Sequence, residues 1–424
     1  MKKILVLGVG AQGSTIVQRL DEEPSVQEII CADYDSEAVA DITKITKKTR
    51  GVQIDCRSLD DIIDVATGVD LIVNALPLHF GKQVLEAAIA VGANYQDFSS
   101  PTNIIESCEC DDCDVCDNYD EKLDSSWIDG IKLMYSDYSK QFEKIGKTAI
   151  TATGSAPGLI HVIARRLMRE LDSCDTIYLF VYEGVEAARF QPFWWSPYTA
   201  LEDMSESGYA YENGKLIRTP AFGLPIKRSF SELGGEYEFI EHTHDEPVHM
   251  GINADKFFKG AKNIYFKYGG VGATFAKPLY RAGLLSRDEM EIDGVSVVPF
   301  DVILAHLPPA PKTKKEIQEI IDEGIIADVG CFVVEAHGKK DGKDVEVRIH
   351  VSAPSFLECF ERASLTAEMY LTGQSGFIFT KMFIEDKYHQ LGLISSDMLT
   401  DEQVDYYLEF AKKFDITYEI QYGK

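Results

Sequence analysis

The sequence predicts an α/β protein: a Rossmann-type, doubly wound parallel sheet domain completed by C-terminal helices, and an inserted α+β domain with a mostly antiparallel sheet. Three observations indicate this fold. Up to about residue 173, short apolar runs alternate with amphipathic segments, which is typical of parallel sheets covered by helices. A G-x-G-x-x-G motif follows the first apolar run. After about residue 173, apolar and polar residues alternate between turn dipeptides, which favours antiparallel strands.

The N-terminal part contains the elements of the predicted parallel sheet. Strands are predicted at 4–7, 29–33, 52–55, 70–75, 94–97 and 148–153. Amphipathic helices are predicted at 14–20, 36–48, 58–66, 81–91, about 136–146 and from about 158. We therefore assign residues 1–173 and 355–424 to the Rossmann domain, with a cysteine-rich insertion at about 100–130. Residues 174–354 form the second domain, in which Asn213-Gly214 and Asp341-Gly342 predict hairpins.

Charge and hydropathy exclude several classes of protein. The net charge of the 424-residue chain is −27, which disfavours nucleic acids and anionic membranes because both attract basic surfaces. No apolar run reaches the ~18–20 residues of a membrane-spanning helix. The N-terminal MKKILVLGVG turns glycine-rich too early for a signal peptide, so it is predicted to be the first strand. We expect a cytoplasmic protein whose cysteines form no disulfide framework.

The segment GVGAQG indicates a dinucleotide site. Gly8 permits the tight turn from strand to helix, Gly10 lets the backbone approach a pyrophosphate, and Gly13 lets the helix pack closely on the strand. The phosphates are expected at the positive N-terminus of the helix, beside Ala11 and Gln12. The alternative is a glycine-rich turn in a Rossmann domain that binds no nucleotide.

Acidic residues at the ends of two strands extend this site. Asp33 lies 20 residues after Gly13 and suits the ribose hydroxyls of NAD, while no Lys or Arg beside it would receive the 2′-phosphate of NADP. Asp55 either contacts the adenine edge or only caps a helix. The turn after the fourth strand is expected near the nicotinamide half of the cofactor; its residues are Ala75, Leu76 and Pro77.

Motifs spread over most of the chain resemble those of the saccharopine dehydrogenase family. Besides the glycine motif, they are NALP (74–77), EAAIAVGANYQDFSS (86–100), ATGSAPGLIHVIARRLM (152–168), WSP (195–197), NGK (213–215), HDEPVHM (244–250) and KKDGKDV (339–345). The resemblance implies a Rossmann domain and an inserted domain that shapes the substrate site and often forms a homodimer. It also implies NAD(P)-dependent oxidoreduction at the C–N bond of an amino acid or of its imine or opine adduct.

Two signals disagree on the substrate. The segment ADYD resembles the lysine 6-dehydrogenase branch, which uses NAD, whereas the pattern of Pro157, Gly158 and His161 resembles the saccharopine reductase branch. A lysine-like and a saccharopine-like substrate both remain open. The family often has an apolar residue, Pro and Arg where this chain has Val248, His249 and Met250, so the resemblance does not say how a substrate carboxylate is held.

Amine oxidation needs a base and groups that orient a cationic amine. Asp97, which ends the fifth predicted strand, is a candidate ammonium ligand, with a helix cap as the alternative. His79 is a candidate base or ribose contact, and otherwise an exposed loop histidine. His161 is a further candidate, and otherwise a bonded core histidine. The family match adds His244 and Glu246, and Trp195 and Ser196 are expected to line the pocket.

The segment CECDDCDVC has the thiol spacing of a metal knuckle. Its four cysteines are candidate ligands of a structural zinc ion, because four thiolates give zinc a closed coordination sphere. Redox-active thiols, and a loop with no role, are the alternatives. The residues concerned are Cys108, Cys110, Cys113 and Cys116.

The function expected is that of an NAD-dependent dehydrogenase, with NADP less favoured, that acts on a small amino-acid substrate. One alternative is a protein that binds the dinucleotide for structure or sensing without oxidoreduction. Another is an NAD-using group transferase of the homospermidine synthase type. Walker A, H-E-x-x-H and G-x-S-x-G motifs are absent from the sequence, so it does not point to phosphoryl transfer, zinc proteolysis or serine hydrolysis.

Overall fold

The structure is a computed structural model that describes residues 1–101 and 128–423. It divides into two compact units. Unit 1 contains residues 1–162 and 372–411, and unit 2 contains residues 163–371 and 412–424. The cysteine segment predicted to bind zinc lies outside the described residues.

Residues 1–162 contain six strands of unit 1 among the described residues. The strands are β1 (Lys2–Leu7), β2 (Val26–Asp33), β3 (Thr49–Gln53), β4 (Leu71–Asn74), β5 (Asn94–Asp97) and β6 (Thr148–Thr151). The helices are α1 (Ala11–Asp21), α2 (Ser36–Ile45), α3 (Leu59–Ala66), α4 (Gly81–Val91), α5 (Ser139–Lys144) and α6 (Leu159–Leu167). Short 3-10 and π-helical turns occupy Leu78–Phe80 and Met134–Tyr138.

Residues 163–371 form most of unit 2. The strands are β7 (Ser173–Glu183), β8 (Glu186–Ala187), β9 (Gly208–Glu212), β10 (Lys215–Thr219), β11 (Ile226–Phe230), β12 (Gly235–Glu241), β13 (Asn263–Gly270), β14 (Met290–Ile292), β15 (Val295–Val297), β16 (Ile325–Ala327), β17 (Gly330–Lys340) and β18 (Lys343–Ser352). The helices are α7 (Pro197–Ser205), α8 (Glu246–Ile252), α9 (Ala254–Phe257), α10 (Val271–Arg281), α11 (Pro299–His306), α12 (Lys314–Glu323), α13 (Phe356–Ala363) and α14 (Ala367–Ile384).

The C-terminal elements are divided between the units. They are β19 (Gly392–Ser395), α15 (Asp401–Ala411) and β20 (Thr417–Tyr422). β19 pairs with β6 in unit 1, whereas β20 pairs with β18 in unit 2. The sequence was expected to place all of 355–424 in the first domain. In the structure, only residues 372–411 of this tail belong to unit 1, and the rest belongs to unit 2.

Unit 1 contains the predicted doubly wound parallel sheet. The strand order is β19-β6-β5-β4-β1-β2-β3, and every pairing is parallel. The apolar run of β1 is completely buried from Ile4 to Leu7, as expected for a central strand with both faces covered. The predicted fold class, including completion by C-terminal elements, is confirmed.

Two glycines of α14 allow close packing within unit 1. A Cβ on Gly373 would lie 2.8 Å from the side chain of Thr15, and one on Gly376 would lie 2.4 Å from the ring of Phe98. The side-chain amide of Gln96 donates to the carbonyl oxygen of Gly376 at 2.8 Å. The C-terminal helix is therefore fixed directly to the end of β5.

Unit 2 contains a mixed, mostly antiparallel sheet of nine strands in the described residues. Its main path is β10-β9-β13-β7-β17-β18-β20, with β12 attached to β13 and β11 to β12. Only the pairing of β13 with β7 is parallel. Asn213-Gly214 and Asp341-Gly342 have positive φ angles at both residues, as type I′ turns require. Both predicted hairpins are confirmed.

Across the part of the chain that the structure describes, no helix combines the length and the apolar character needed to cross a bilayer.

Candidate functional site

The glycine loop, residues 8–13, connects β1 to α1. Gly8 has a φ of +85°, and a Cβ on it would lie 2.7 Å from the carbonyl oxygen of Ala75. A Cβ on Gly13 would lie 1.8 Å from the carbonyl oxygen of Gly8. Both glycines are therefore required by the packing of the protein itself.

Gly10 has a different reason to be glycine. A Cβ built on this residue would meet no atom within 4 Å, so the protein leaves this space open. Gly10 is the N-cap of α1 and offers no side chain to the first N–H groups of the helix, whose first turn carries no acidic residue. The first turn includes Ala11 and Gln12. An open space at an uncapped, positive helix end fits the pyrophosphate of a dinucleotide.

Asp33 holds the glycine loop in place. Its side chain is 8% exposed. One carboxylate oxygen accepts the backbone N–H of Val9 at 2.8 Å, and the other accepts that of Asp35 at 3.0 Å. Each oxygen keeps a lone pair that a ribose hydroxyl can use. Asp55 instead lies exposed beside Arg57, whose hydrogen bonds lower the pKa of Asp55 to about 2.

The turn after β4 lies against the glycine loop. The N–H of Ala75 donates to the carbonyl oxygen of Leu7 at 2.8 Å, and a Cβ on Gly8 would lie 3.2 Å from the side chain of Leu76. Pro77 and His79 are exposed. The turn thus occupies the carboxyl ends of β1 and β4, which is the edge where ligands of doubly wound sheets bind.

Asp97 is buried at the end of β5, where it is 3% exposed. It accepts hydrogen bonds from the hydroxyl of Tyr95, from the amide of Asn74 at 2.8 Å, and from the N–H and hydroxyl of Ser99 at 3.1 and 3.4 Å. Burial raises its pKa to about 6, although these bonds lower it in part. Four donors fill the acceptor sites of a carboxylate, so this geometry supports a role in positioning β4 and β5.

His161 is a fully buried core residue of unit 1. Its Nδ1 lies 2.8 Å from the hydroxyl oxygen of Ser396. This contact corresponds to the bonded core histidine that the sequence left open as the alternative. A catalytic role for His161 remains a prediction.

Four carboxyl groups and two histidines meet in unit 2. This carboxylate–histidine cluster consists of Glu183, Asp203, His242, His244, Glu246 and Glu368. Oε2 of Glu183, at the end of β7, accepts from the indole N–H of Trp195 at 3.2 Å and from the hydroxyl of Tyr268 at 2.7 Å. The ring centroids of Tyr268 and His242 are 4.6 Å apart. Aromatic side chains therefore connect the first carboxylate to the histidines.

The two histidines follow β12 at alternate positions. Their ring centroids are 4.9 Å apart, and His244 stacks on Phe266 with centroids 3.9 Å apart. Nδ1 of His244 lies 2.8 Å from Oε2 of Glu246. One possible ligand atom from each of Asp203, His242 and His244 lies within 4.8 Å of the other two. The cluster therefore brings nitrogen and carboxylate donors to one point.

Three carboxyl groups of the cluster, those of Glu183, Asp203 and Glu368, have raised pKa values. Burial raises the pKa of Glu183 despite the hydrogen bonds from its aromatic neighbours. Burial also raises the pKa of Asp203 to about 8, and burial with the charge of Glu183 raises that of Glu368 to about 8. No Lys or Arg among the described residues pairs with these three carboxyl groups. A cation that enters the cluster would therefore stabilise the ionised forms of these carboxyl groups.

The pKa values of the two histidines are shifted in opposite directions. Burial lowers the pKa of His244, but the nearby carboxylates of Glu246, Asp203 and Asp245 outweigh it and raise that pKa to about 9. Burial, together with the charge of His244, lowers the pKa of His242 well below its ordinary value. One ring is thus cationic and the other neutral at pH 7.

One residue of the WSP segment contacts the cluster. Trp195 binds Glu183, whereas Trp194 donates to the carbonyl oxygen of Val185 at 3.0 Å and packs in the core against Phe356. The exposed Ser196 caps α7 by accepting from the N–H of Thr199 at 3.2 Å. This geometry is that of a helix cap. That Ser196 lines the substrate pocket remains a prediction.

Of the predicted catalytic residues, the structure brings Trp195, His244 and Glu246 together in unit 2. Sequence reasoning missed the other cluster members, which lie on β7, α7 and α14 and after β12, and it also missed a neighbouring tyrosine on β13. The histidine pair had a usable signal, because residues two apart in extended chain project to the same side. The missed residues are Glu183, Asp203, His242, Tyr268 and Glu368.

The parallel sheet and the glycine loop define unit 1 as a dinucleotide-binding domain. Residues 4–150 match the family model of the saccharopine dehydrogenase NADP binding domain. This match indicates a nicotinamide dinucleotide as cofactor and supports a dehydrogenase. The resemblance predicted from the motifs is confirmed.

One solved structure shows the same fold over its full length. An apo, histidine-tagged saccharopine dehydrogenase (L-Glu forming) from Saccharomyces cerevisiae is 14% identical, with 100% of both chains covered and a TM-score of 0.68. At this identity the likeness shows the fold alone. A probable dehydrogenase from Thermotoga maritima is 9% identical over 97% of this chain and 96% of that chain, with a TM-score of 0.42, which is too low to support an inference.

Proposed function

We propose that the protein is an NAD-dependent oxidoreductase that acts on the C–N bond of a cationic amino acid or of its imine adduct. The observation that carries the proposal is the carboxylate–histidine cluster, in which Glu183, Asp203 and Glu368 have no Lys or Arg partner among the described residues. Lysine-like and saccharopine-like substrates both contain a basic nitrogen that such a cluster would attract.

Glu183 is assigned to orient the substrate ammonium. Its Oε2 is fixed by Trp195 and Tyr268, so the carboxylate is held in one direction before the substrate arrives. An indole beside a carboxylate also favours a cation, because its ring face carries negative charge. Fixed groups of this kind reduce the entropy cost of orienting the amine.

Glu368 is assigned as the base. Its Oε2 is buried without a hydrogen-bond partner, and its pKa of about 8 is close to neutral pH. When bound, a nicotinamide dinucleotide supplies the hydride acceptor for the amine carbon. Glu368 takes the proton from the substrate nitrogen, and loss of hydride from carbon then leaves a C=N bond, which water converts to a carbonyl and a free amine. The reverse sequence joins an amine to a carbonyl.

The preference for NAD over NADP rests on Asp33. Its buried carboxylate holds the glycine loop and would repel a 2′-phosphate, while its remaining lone pairs suit ribose hydroxyls. Calorimetric titration of the protein with NAD and with NADP checks this assignment. Tighter binding of NADP would contradict it.

The activity is tested by incubating the full chain with NAD and a panel of lysine, saccharopine and polyamines, and with NADH and amine plus 2-oxo acid pairs. We expect a change in NADH absorbance with at least one substrate that has a basic nitrogen. Tight binding of NAD without turnover of any amine or imine would favour a sensing or structural role. Transfer of label between amines without net NADH would indicate a group transferase.

A homodimer formed through unit 2 is also proposed. The β14–β15 hairpin exposes Met290, Ile292 and Val295 at 48%, 51% and 60%, and exposed apolar patches favour protein contacts. Light scattering after gel filtration should give twice the chain mass, and Ile292→Asp with Val295→Asp should reduce it. A monomeric wild type would contradict the proposal.

A further inference from the structure

Asp203, His242 and His244 offer three metal-binding side chains at one point of unit 2. Their possible ligand atoms lie within 4.8 Å of one another. The backbone also fixes them, because the N–H of Thr243 donates to the carbonyl oxygen of Asp203 at 3.0 Å. Two imidazoles and one carboxylate are the ligand set of many zinc sites that keep a fourth position open.

His242 is a buried residue at this point whose polar atoms are unsatisfied. The residue is 2% exposed, and neither ring nitrogen has a hydrogen-bond partner. A neutral imidazole has one donor and one acceptor, and burying them unpaired is unfavourable for each group. Buried polar groups in native proteins are satisfied in most cases. A bound cation would satisfy the acceptor nitrogen of His242.

His244 is oriented as a metal ligand would be. Glu246 holds its Nδ1 at 2.8 Å, and the ring lies flat on Phe266, with planes 2° apart. A carboxylate on one nitrogen holds that N–H, so that the other nitrogen is the one that loses its proton to a metal ion and binds it, and such carboxylate–histidine pairs are common around bound zinc. Glu246 is fully buried, and its Oε1 has no partner.

A second histidine–carboxylate group in unit 2 provides the contrast. Glu335, His337 and Glu346 also place their possible ligand atoms within 4.8 Å of one another. In that group Arg348 binds Glu335 at 2.7 Å and Glu346 at 2.9 Å, and Arg228 binds Glu335 at 3.3 Å. Guanidinium groups already supply the positive charge there, so this group needs no metal ion.

We propose that Asp203, His242 and His244 bind a divalent transition-metal ion, with zinc favoured by the ligand types, and that Glu246 orients His244 toward it. Donors around one zinc ion lie ~3.3 Å apart, so small side-chain rotations complete the site. Three protein ligands leave a fourth position for water or a substrate atom. The proposal does not depend on the dehydrogenase activity.

Cobalt(II) is the probe that separates this site from the cysteine segment. The full chain carrying Cys108→Ser, Cys110→Ser, Cys113→Ser and Cys116→Ser is stripped with chelator and titrated with Co²⁺. We expect one ion per chain and visible d–d bands without the near-ultraviolet charge-transfer bands of thiolate ligands. His242→Gln and Asp203→Asn in this background should each weaken binding by at least about 100-fold, because each removes a direct ligand.

His337→Gln is the matched control, because it changes the comparison group and should leave cobalt binding unchanged. Absence of stoichiometric binding in the cysteine-free chain, or binding that survives both His242→Gln and Asp203→Asn, would overturn the proposal. If these variants do not fold, X-ray absorption of the zinc-loaded cysteine-free chain decides instead. Two imidazole ligands and one carboxylate ligand support the site, and any other ligand set refutes it.

Discussion

The glycine loop of unit 1 and the carboxylate–histidine cluster of unit 2 are built in opposite ways. The glycine loop presents backbone groups and depends on the absence of side chains: Gly10 leaves an open space, and Gly8 and Gly13 allow close contact with neighbouring backbone. The cluster consists of side chains from β7, α7, α8 and α14 and from the segment after β12. A backbone site needs a short contiguous motif, whereas a side-chain site can be assembled from distant segments.

Because the two sites are built from different residues, a substitution in one site should leave binding at the other site unchanged. Changes in the glycine loop should affect nucleotide binding, and changes in the cluster should affect the amine. Variants of each site, and of the scaffold beneath them, therefore test whether the two sites act independently.

Glu368→Gln should have the largest effect. Loss of a positioned base typically lowers kcat by ~10²–10⁴-fold, while the affinity for NAD should stay unchanged. Steady-state kinetics on the substrate found in the panel, with calorimetry for NAD, measures both. Glu319→Gln, on the exposed face of α12, is the control and should behave like the wild type. Equal turnover in both variants would remove Glu368 from the mechanism.

Gly10→Val should weaken NAD binding by about 100-fold, or ~3 kcal/mol, without unfolding the protein. The Cβ of the added side chain would meet no protein atom within 4 Å, and the side chain would enter the space assigned to the pyrophosphate. Gly13→Ala is the contrasting variant, because its Cβ would lie 1.8 Å from a carbonyl oxygen and should lower the melting temperature. Unchanged NAD affinity in folded Gly10→Val would place the nucleotide elsewhere.

The buried Asp97 predicts a pH dependence of stability. Its folded pKa of about 6 exceeds the ordinary value of 3.8. The folded form therefore holds its proton longer, and the contribution of this group to stability is complete below pH 3.8 and is lost as the pH rises through about 6. Urea unfolding from about pH 4 to 7 should show the wild type losing up to about 3 kcal/mol relative to Asp97→Asn. A constant difference between the two would contradict the shift.

Gly376→Ala should have the smallest effect, about 1–3 kcal/mol of stability, because its Cβ would press on the ring of Phe98. A lower melting temperature measured by circular dichroism checks this. Gln18→Ala is the control, because it is a helical substitution on the exposed face of α1 that adds no atom to a packed space. Equal melting temperatures of the two variants would show that α14 can shift.

Much of unit 1 was predictable from sequence because its signals are local. The buried run 4–7, the spacing of Gly8, Gly10 and Gly13, and the acidic end of β2 at Asp33 each lie within a few residues. The hairpin dipeptides of unit 2 were predictable for the same reason, since positive φ angles favour Asn, Asp and Gly. The position of Asp97 at the end of a strand was predictable from the sequence. Its hydrogen bond to Asn74 was not, because that bond depends on the pairing of β4 with β5.

Sequence alone was sufficient for the alternation of strands and helices, the nucleotide motif and the family resemblance, because period, turn chemistry and glycine spacing are properties of neighbouring residues. The three-dimensional structure was needed to show that Glu183, Asp203, His242 and Glu368 share one cluster. It also placed β20 in the second sheet and gave Ser196 and His161 ordinary structural partners. These outcomes depend on strand pairing and burial between residues far apart in the chain, which no local pattern encodes.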